Sequence, residues 1–195
     1  MKATQFFLTE YDSINSIVDN FILNGLNDAQ LRQSPGPGQN SLAWLLWHVA
    51  RYEDVAVTVI EGKQPQLLHQ ADWLPRLNLT RRDVGTAMTA EEGVAFNAQI
   101  DFAGLQAYRT AVAARTRTVV TALNSDYLEE LVNESHFQAT FADGVIGNER
   151  ARWLEQFFAK HTQAWWLGFI NWHGAEHLLG EAFYIRSQNG IPVGV

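Results

Sequence analysis

The sequence predicts an all-α protein: a four-helix bundle with irregular connections and short extra helices. Three observations predict it. Four long segments carry apolar residues at helical spacing. No strand-like and helix-like stretches alternate in the manner of a βαβ unit. The last long segment, Asn171-Trp172-His173-Gly174-Ala175-Glu176-His177-Leu178-Leu179-Gly180-Glu181, is apolar, helix-forming sequence with two histidines one turn apart inside it.

The first helix is expected over residues 4–23, with Phe7, Tyr11, Ile14, Val18 and Phe21 on one face and Asn24-Gly25 as the stop. Residues 26–40 form a connector whose Ser34-Pro35-Gly36-Pro37-Gly38 run forbids regular structure. Asn40 or Ser41 then caps a second helix over 41–61, with the stripe Leu45, His48, Tyr52, Val55 and Val59, closed by Gly62. Residues 66–100 are the least regular. Trp73 and Pro75 suggest a loop packed on the body, and Thr89-Ala90-Glu91-Glu92 caps a short helix over 90–98. Asp101 caps the third long helix, 102–123, with Leu105, Tyr108, Val112, Val119 and Leu123 inward. A turn is expected at 126–132, an extended stretch at His136–Phe141 and a helix at 149–160. The last long helix runs over 162–188, stopped by Asn189-Gly190-Ile191-Pro192.

Composition narrows the function classes. With 195 residues and 47% hydrophobic content, one domain with one substantial core is the expectation. There is no cysteine, which excludes disulfides, thiolate ligands and a cysteine nucleophile. A net charge of -7, without a basic stretch, argues against nucleic acid. No uninterrupted apolar run is long enough to span a bilayer, and the N-terminus does not read as a signal peptide, so a cytoplasmic protein away from membranes is expected.

The chemistry concentrates on histidine. One face of the last helix runs Trp166, Ile170, His173, His177, Gly180, Tyr184, in alternating steps of four and three. His173 and His177 thus occupy core positions, and His48 does the same in the second helix. A buried imidazole is costly unless its nitrogens are satisfied. Three imidazoles with an open fourth position suit a catalytic Zn²⁺, and also Ni²⁺ or Fe²⁺. The opposing reading is three core histidines bonded to backbone carbonyls. His69, His136 and His161 read as surface or capping residues. Glu176, three residues from His173, is a candidate acid/base group, whereas Glu181 reads as solvent-facing. Trp44, one turn before His48, could line a pocket above the metal. Arg115 could bind a substrate carboxylate, against the plainer reading of a surface arginine.

Two stretches resemble a known family. Ser41-Leu42-Ala43-Trp44-Leu45-Leu46-Trp47-His48-Val49-Ala50-Arg51-Tyr52-Glu53-Asp54 resembles the second-helix signature of the DinB-like superfamily. Trp172-His173-Gly174-Ala175-Glu176-His177-Leu178-Leu179-Gly180-Glu181, continuing to Arg186, resembles its last-helix signature. Helix order fits too, so the resemblance covers most of the chain. It implies one DinB-like domain over 1–195, an up-up-down-down bundle, often a homodimer, and a divalent metal held by His48, His173 and His177. Family members with known activity are thiol S-transferases and isomerases that use bacillithiol, mycothiol or glutathione. The implied function is therefore a metal-dependent enzyme acting on a small-molecule substrate with a low-molecular-weight thiol. The alternative is a non-catalytic metal- or ligand-binding bundle of the stress response.

Overall fold

The computed structural model describes residues 2–192, and among them every regular element is helical. The long helices are α1 (Ala3–Ile17), α3 (Leu42–Glu61), α6 (Phe102–Ala122) and α9 (Gln163–Ala175). Shorter ones are α2 (Asp28–Arg32), α4 (Trp73–Leu77), α5 (Ala90–Gln99), α7 (Glu134–Ala142), α8 (Trp153–Phe158) and α10 (Ala182–Gln188). Helix α3 packs against both α6 and α9, and α1 packs against the same two. No described helix is long and apolar enough to cross a membrane.

The starts of these helices follow from side-chain caps that satisfy orphan N–H groups. Ser41 Oγ accepts from Trp44 N, Asp101 from Gly104 N and Thr162 from Trp165 N. Thr89 and Glu92 form the reciprocal capping box that opens α5. Helix α3 ends where Gly62 turns left-handed, at φ +63°. This helix is the centre of the molecule, buried along nearly its whole length. One apolar cluster surrounds its first half, with Trp44, Leu45 and Trp47 against Trp73, Leu105 and Tyr108. A second surrounds its other half, with Tyr52, Val55 and Val59 against Phe137, Phe158 and Trp166.

Two helices depart from a regular period, and each departure corrects a stripe read from spacing. The chain continues α1 as a π turn over Val18–Ile22 and α9 as a π turn over Glu176–Glu181. A π turn inserts one residue, so the inward face slips by about 100°. Phe21 is therefore exposed and Ile22 buried; Gly180 and Tyr184 are exposed, while Leu178, Ala182 and Ile185 are buried. The two π turns pack on each other, and Arg186 of α10 donates to the carbonyls of Phe21 and Ile22.

Other expectations also shift. His136–Phe141 is not extended but lies in α7, because Asn133 caps it and Phe137 and Phe141, one turn apart, both reach the second core cluster. Trp73 and Pro75 sit in a short helix rather than a loop, with proline in the first turn, where its missing N–H is tolerated. The connector holds α2, capped by Asn27, and the helix expected at 149–160 divides into a turn at Glu149–Ala151 and α8.

Candidate metal centre

His48 comes from the first half of α3, His173 from the last turn of α9, and His177 from the π turn that follows. The packing of α3 on α9 brings the three rings together. Ring centroids of His48 and His173 are 5.2 Å apart, of His48 and His177 5.1 Å, and of His173 and His177 4.6 Å. One nitrogen from each ring lies within 4.8 Å of the others. His48 and His173 are buried and His177 is partly exposed.

Hydrogen bonds fix the tautomers of two rings. His48 Nδ1 lies 2.5 Å from the Val84 carbonyl, which can only accept, so Nδ1 carries the proton and Nε2 the lone pair. His177 Nδ1 lies 2.7 Å from Glu181 Oε2 and donates to that carboxylate, which again leaves Nε2 as the free donor atom. Asn40 donates to the other oxygen of Glu181 at 2.8 Å. Burial works against the Glu181 carboxylate, but the bonds from His177 and Asn40 hold its pKa below the ordinary value. His173 is held by rings instead: Phe169 stacks on it at 4.8 Å and Tyr52 meets it edge-on at 4.7 Å. Trp44 lies flat on His48 at 4.2 Å.

The electrostatics favour neutral rings. Burial, and then the neighbouring His177, push His48 down to about 3. Burial, and then His48 and His177, push His173 well below its usual range. Neutral imidazoles with accessible lone pairs are what a divalent cation requires of histidine. The donor set therefore fits a metal ion.

The loop that carries Val84 is tied down from several sides. Arg51 donates to the Arg82 carbonyl through Nε at 3.2 Å and Nη2 at 2.7 Å. Val84 N donates to Val145 O at 3.1 Å, and Tyr52 Oη pairs with Thr86 Oγ1 at 2.8 Å. Gly85 adopts φ +83°, and a Cβ there would lie 2.6 Å from Trp47, so only glycine lets the loop lie this close to α3.

The remaining sequence candidates separate. Trp44 belongs to the wall of the cluster. Glu176 is exposed at the start of the π turn, outside the cluster. Glu181, read as solvent-facing, is the residue that holds His177; the two are four residues apart, a spacing that sets them on one helix face and could have found the pair. Arg115 is not at the cluster. It pairs with Glu61 at 2.9 Å and Asp54 at 3.4 Å, and Glu61 ends α3, about 20 Å along the helix from His48. His69 faces Asp143, and His161 stacks on Trp165. Two contributions to the cluster were not read from the sequence: the Val84 carbonyl, a backbone atom without a residue-type signal, and the Asn40 amide, read only as a possible helix cap, whose partner lies 141 residues away.

A family model described as the DinB superfamily matches residues 20–179, and the chain belongs to that superfamily. A crystal structure described as the conserved protein of locus from Enterococcus faecalis superposes with a TM-score of 0.70. That chain is 21% identical; the alignment covers 96% of this chain and 97% of the other, a likeness of fold. No curated protein sequence gives a significant match.

Proposed function

We propose that the protein is a divalent-metal-dependent enzyme of the thiol S-transferase type, built as an up-up-down-down four-helix bundle. His48, His173 and His177 would hold Zn, Ni or Fe through imidazole nitrogens. When bound, such an ion supplies Lewis-acid chemistry that makes a thiol or water nucleophilic near neutral pH. The observation that carries the reading is the convergence of three imidazole nitrogens within 4.8 Å, with the His48 and His173 rings kept neutral by burial. The Val84 carbonyl and Glu181 orient two of the rings, and Trp44, Tyr52 and Phe169 keep water from their apolar side. The reading includes a small-molecule substrate, a cytoplasmic setting and a homodimer, with no part for nucleic acid.

Metal content of untagged protein tests the site. The parent is expected to retain metal and His48→Ala to lose it; equal metal in both would refute the triad. Activity is tested with bacillithiol, mycothiol and glutathione against monochlorobimane, where conjugation is expected with one thiol and is lost in His177→Ala. The second reading, a non-catalytic metal- or ligand-binding bundle, is favoured by how little of the cluster is exposed, 4% at His48 and 7% at His173. It gives retained metal with no thiol conjugated.

A further inference from the structure

A cavity of about 530 Å³ lies between the connector after α2, the start of α3 and helix α5. Its size is that of a small-molecule site, roughly 300–1,000 Å³. Gly36, Pro37, Trp44, Met88 and Val94 give it a largely apolar wall. Apart from Gln39, which is exposed, and Glu91, the polar side chains of the wall are engaged with protein partners. Ser41 Oγ donates to Asn97 Oδ1 at 2.6 Å, and the Asn97 amide donates to Ser34 Oγ at 3.4 Å. The Asn40 amide is engaged with Glu181, and Trp44 Nε1 donates to Met88 Sδ at 3.3 Å. Among the described residues of the wall Glu91 alone is charged, and it is exposed. An anion would meet that carboxylate with no cation to offset it, and a polar ligand would find most of the side-chain hydrogen-bonding groups already taken. A flat apolar group, by contrast, can lie against Trp44 and Met88.

Two connections run from this cavity to the histidines. Trp44, in the wall, stacks on His48 at 4.2 Å with an interplanar angle of 19°. Asn40, also in the wall, holds Glu181, which holds His177. An occupant therefore touches Trp44, which packs on His48, and Asn40, whose partner Glu181 orients His177.

We propose that this cavity binds an uncharged, flat, apolar group. Resting on the metal-enzyme reading above, that group is the acceptor portion of the substrate, and Trp44, Met88 and Val94 set its specificity.

The test uses the full chain, as purified and after chelation, with neutral fluorescent N-phenyl-1-naphthylamine as the probe. Saturable binding of one probe per chain is expected in the metal-free protein. The sulfonated 8-anilinonaphthalene-1-sulfonate should bind at least about tenfold more weakly, and Val94→Asp should weaken the neutral probe by at least about tenfold. Val94 is 71% exposed, so this substitution is expected to leave the fold intact, which a circular-dichroism melt checks. Absence of saturable binding, equal affinity for the two probes, or unchanged affinity in Val94→Asp would overturn the cavity assignment. Zinc should change the affinity of the neutral probe in the parent, by the reciprocity of coupled sites. Identical affinities with and without zinc would overturn the acceptor assignment while leaving the cavity. Metal content measured on the same samples separates the two readings. Protein that keeps zinc but binds no probe refutes the cavity alone. Protein that binds the probe but holds no metal refutes the metal reading, and the acceptor assignment with it.

Discussion

Arg51 and His48 stand less than a turn apart on α3 and both are buried, yet their nitrogens are finished in opposite ways. Every part of the Arg51 fork has a partner. Nη1 meets Asp54 and Tyr108 at 3.1 Å each, Nη2 meets Gln66 at 2.7 Å, and Nε and Nη2 share the Arg82 carbonyl. Asp54 in turn accepts from Tyr108 and from the backbone of Leu67 and Leu68. Around His48 the pattern stops halfway: His48 and His177 each use Nδ1, neither makes a hydrogen bond at Nε2 among the described residues, and the three rings bring nitrogens within 4.8 Å of one another. A buried polar network with every atom satisfied is architecture. One left incomplete at a point where three imidazole nitrogens converge is a place for a ligand. The two are also connected. Arg51 anchors the Arg82 carbonyl, and the same loop delivers the Val84 carbonyl to His48.

This contrast can be broken from either side. The largest effect is expected from Asp54→Ala, which strands a buried guanidinium. It should cost about 3–5 kcal/mol in urea unfolding, the usual scale for breaking one side of a buried ion pair. A loss below about 1 kcal/mol would mean that the network is not the frame of α3. On the other side, Glu181→Ala should weaken metal binding about 10–100-fold, because it frees the His177 ring. It should change metal-free stability by no more than about 1 kcal/mol, since the residue is partly exposed. Calorimetric titration with zinc, set beside a thermal melt of the metal-free form, reads both quantities.

The smallest effect is a slope against pH. His48, at about 3, and His173, well below its usual 6.5, stay neutral in the folded protein. In the unfolded chain both take up protons near their ordinary pKa. Stability from these rings is therefore complete above about pH 6.5 and is lost as pH falls toward the folded values, by up to about 1.4 kcal/mol per pH unit for each ring. Metal-free parent and His48→Gln, compared in denaturant from about pH 7 to pH 5, should differ in slope, the variant being flatter. Parallel curves would show that His48 titrates alike in both states.

What the sequence revealed follows from the same contrast. His48, His173 and His177 stood out because imidazoles sat where the helical period calls for leucine or isoleucine. The caps at Ser41, Thr89 and Asp101 were readable because capping is local chemistry. Glu181 was read as solvent-facing although it stands one turn after His177; the Asn40 amide that also holds it comes from 141 residues away and gives no local signal. Arg115 read as a free cation because Glu61 and Asp54, its partners, lie 54 and 61 residues away. The helix at Glu134–Ala142 hid behind an aromatic pattern that suits a strand; the Asn133 cap and the pocket for Phe137 and Phe141 decided it. Local signals carried the helices, and long-range partners decided which polar groups were left to bind something else.

The central claim is that the three histidines form one metal-binding unit. Thermal unfolding with and without zinc tests it most directly, on the parent and on a His48→Ala, His173→Ala, His177→Ala triple variant. At zinc about a hundredfold above the dissociation constant the parent should gain about 2.7 kcal/mol, seen as a higher Tm, and the triple variant should gain nothing. No rise in the parent, or an equal rise in the variant, would contradict the claim.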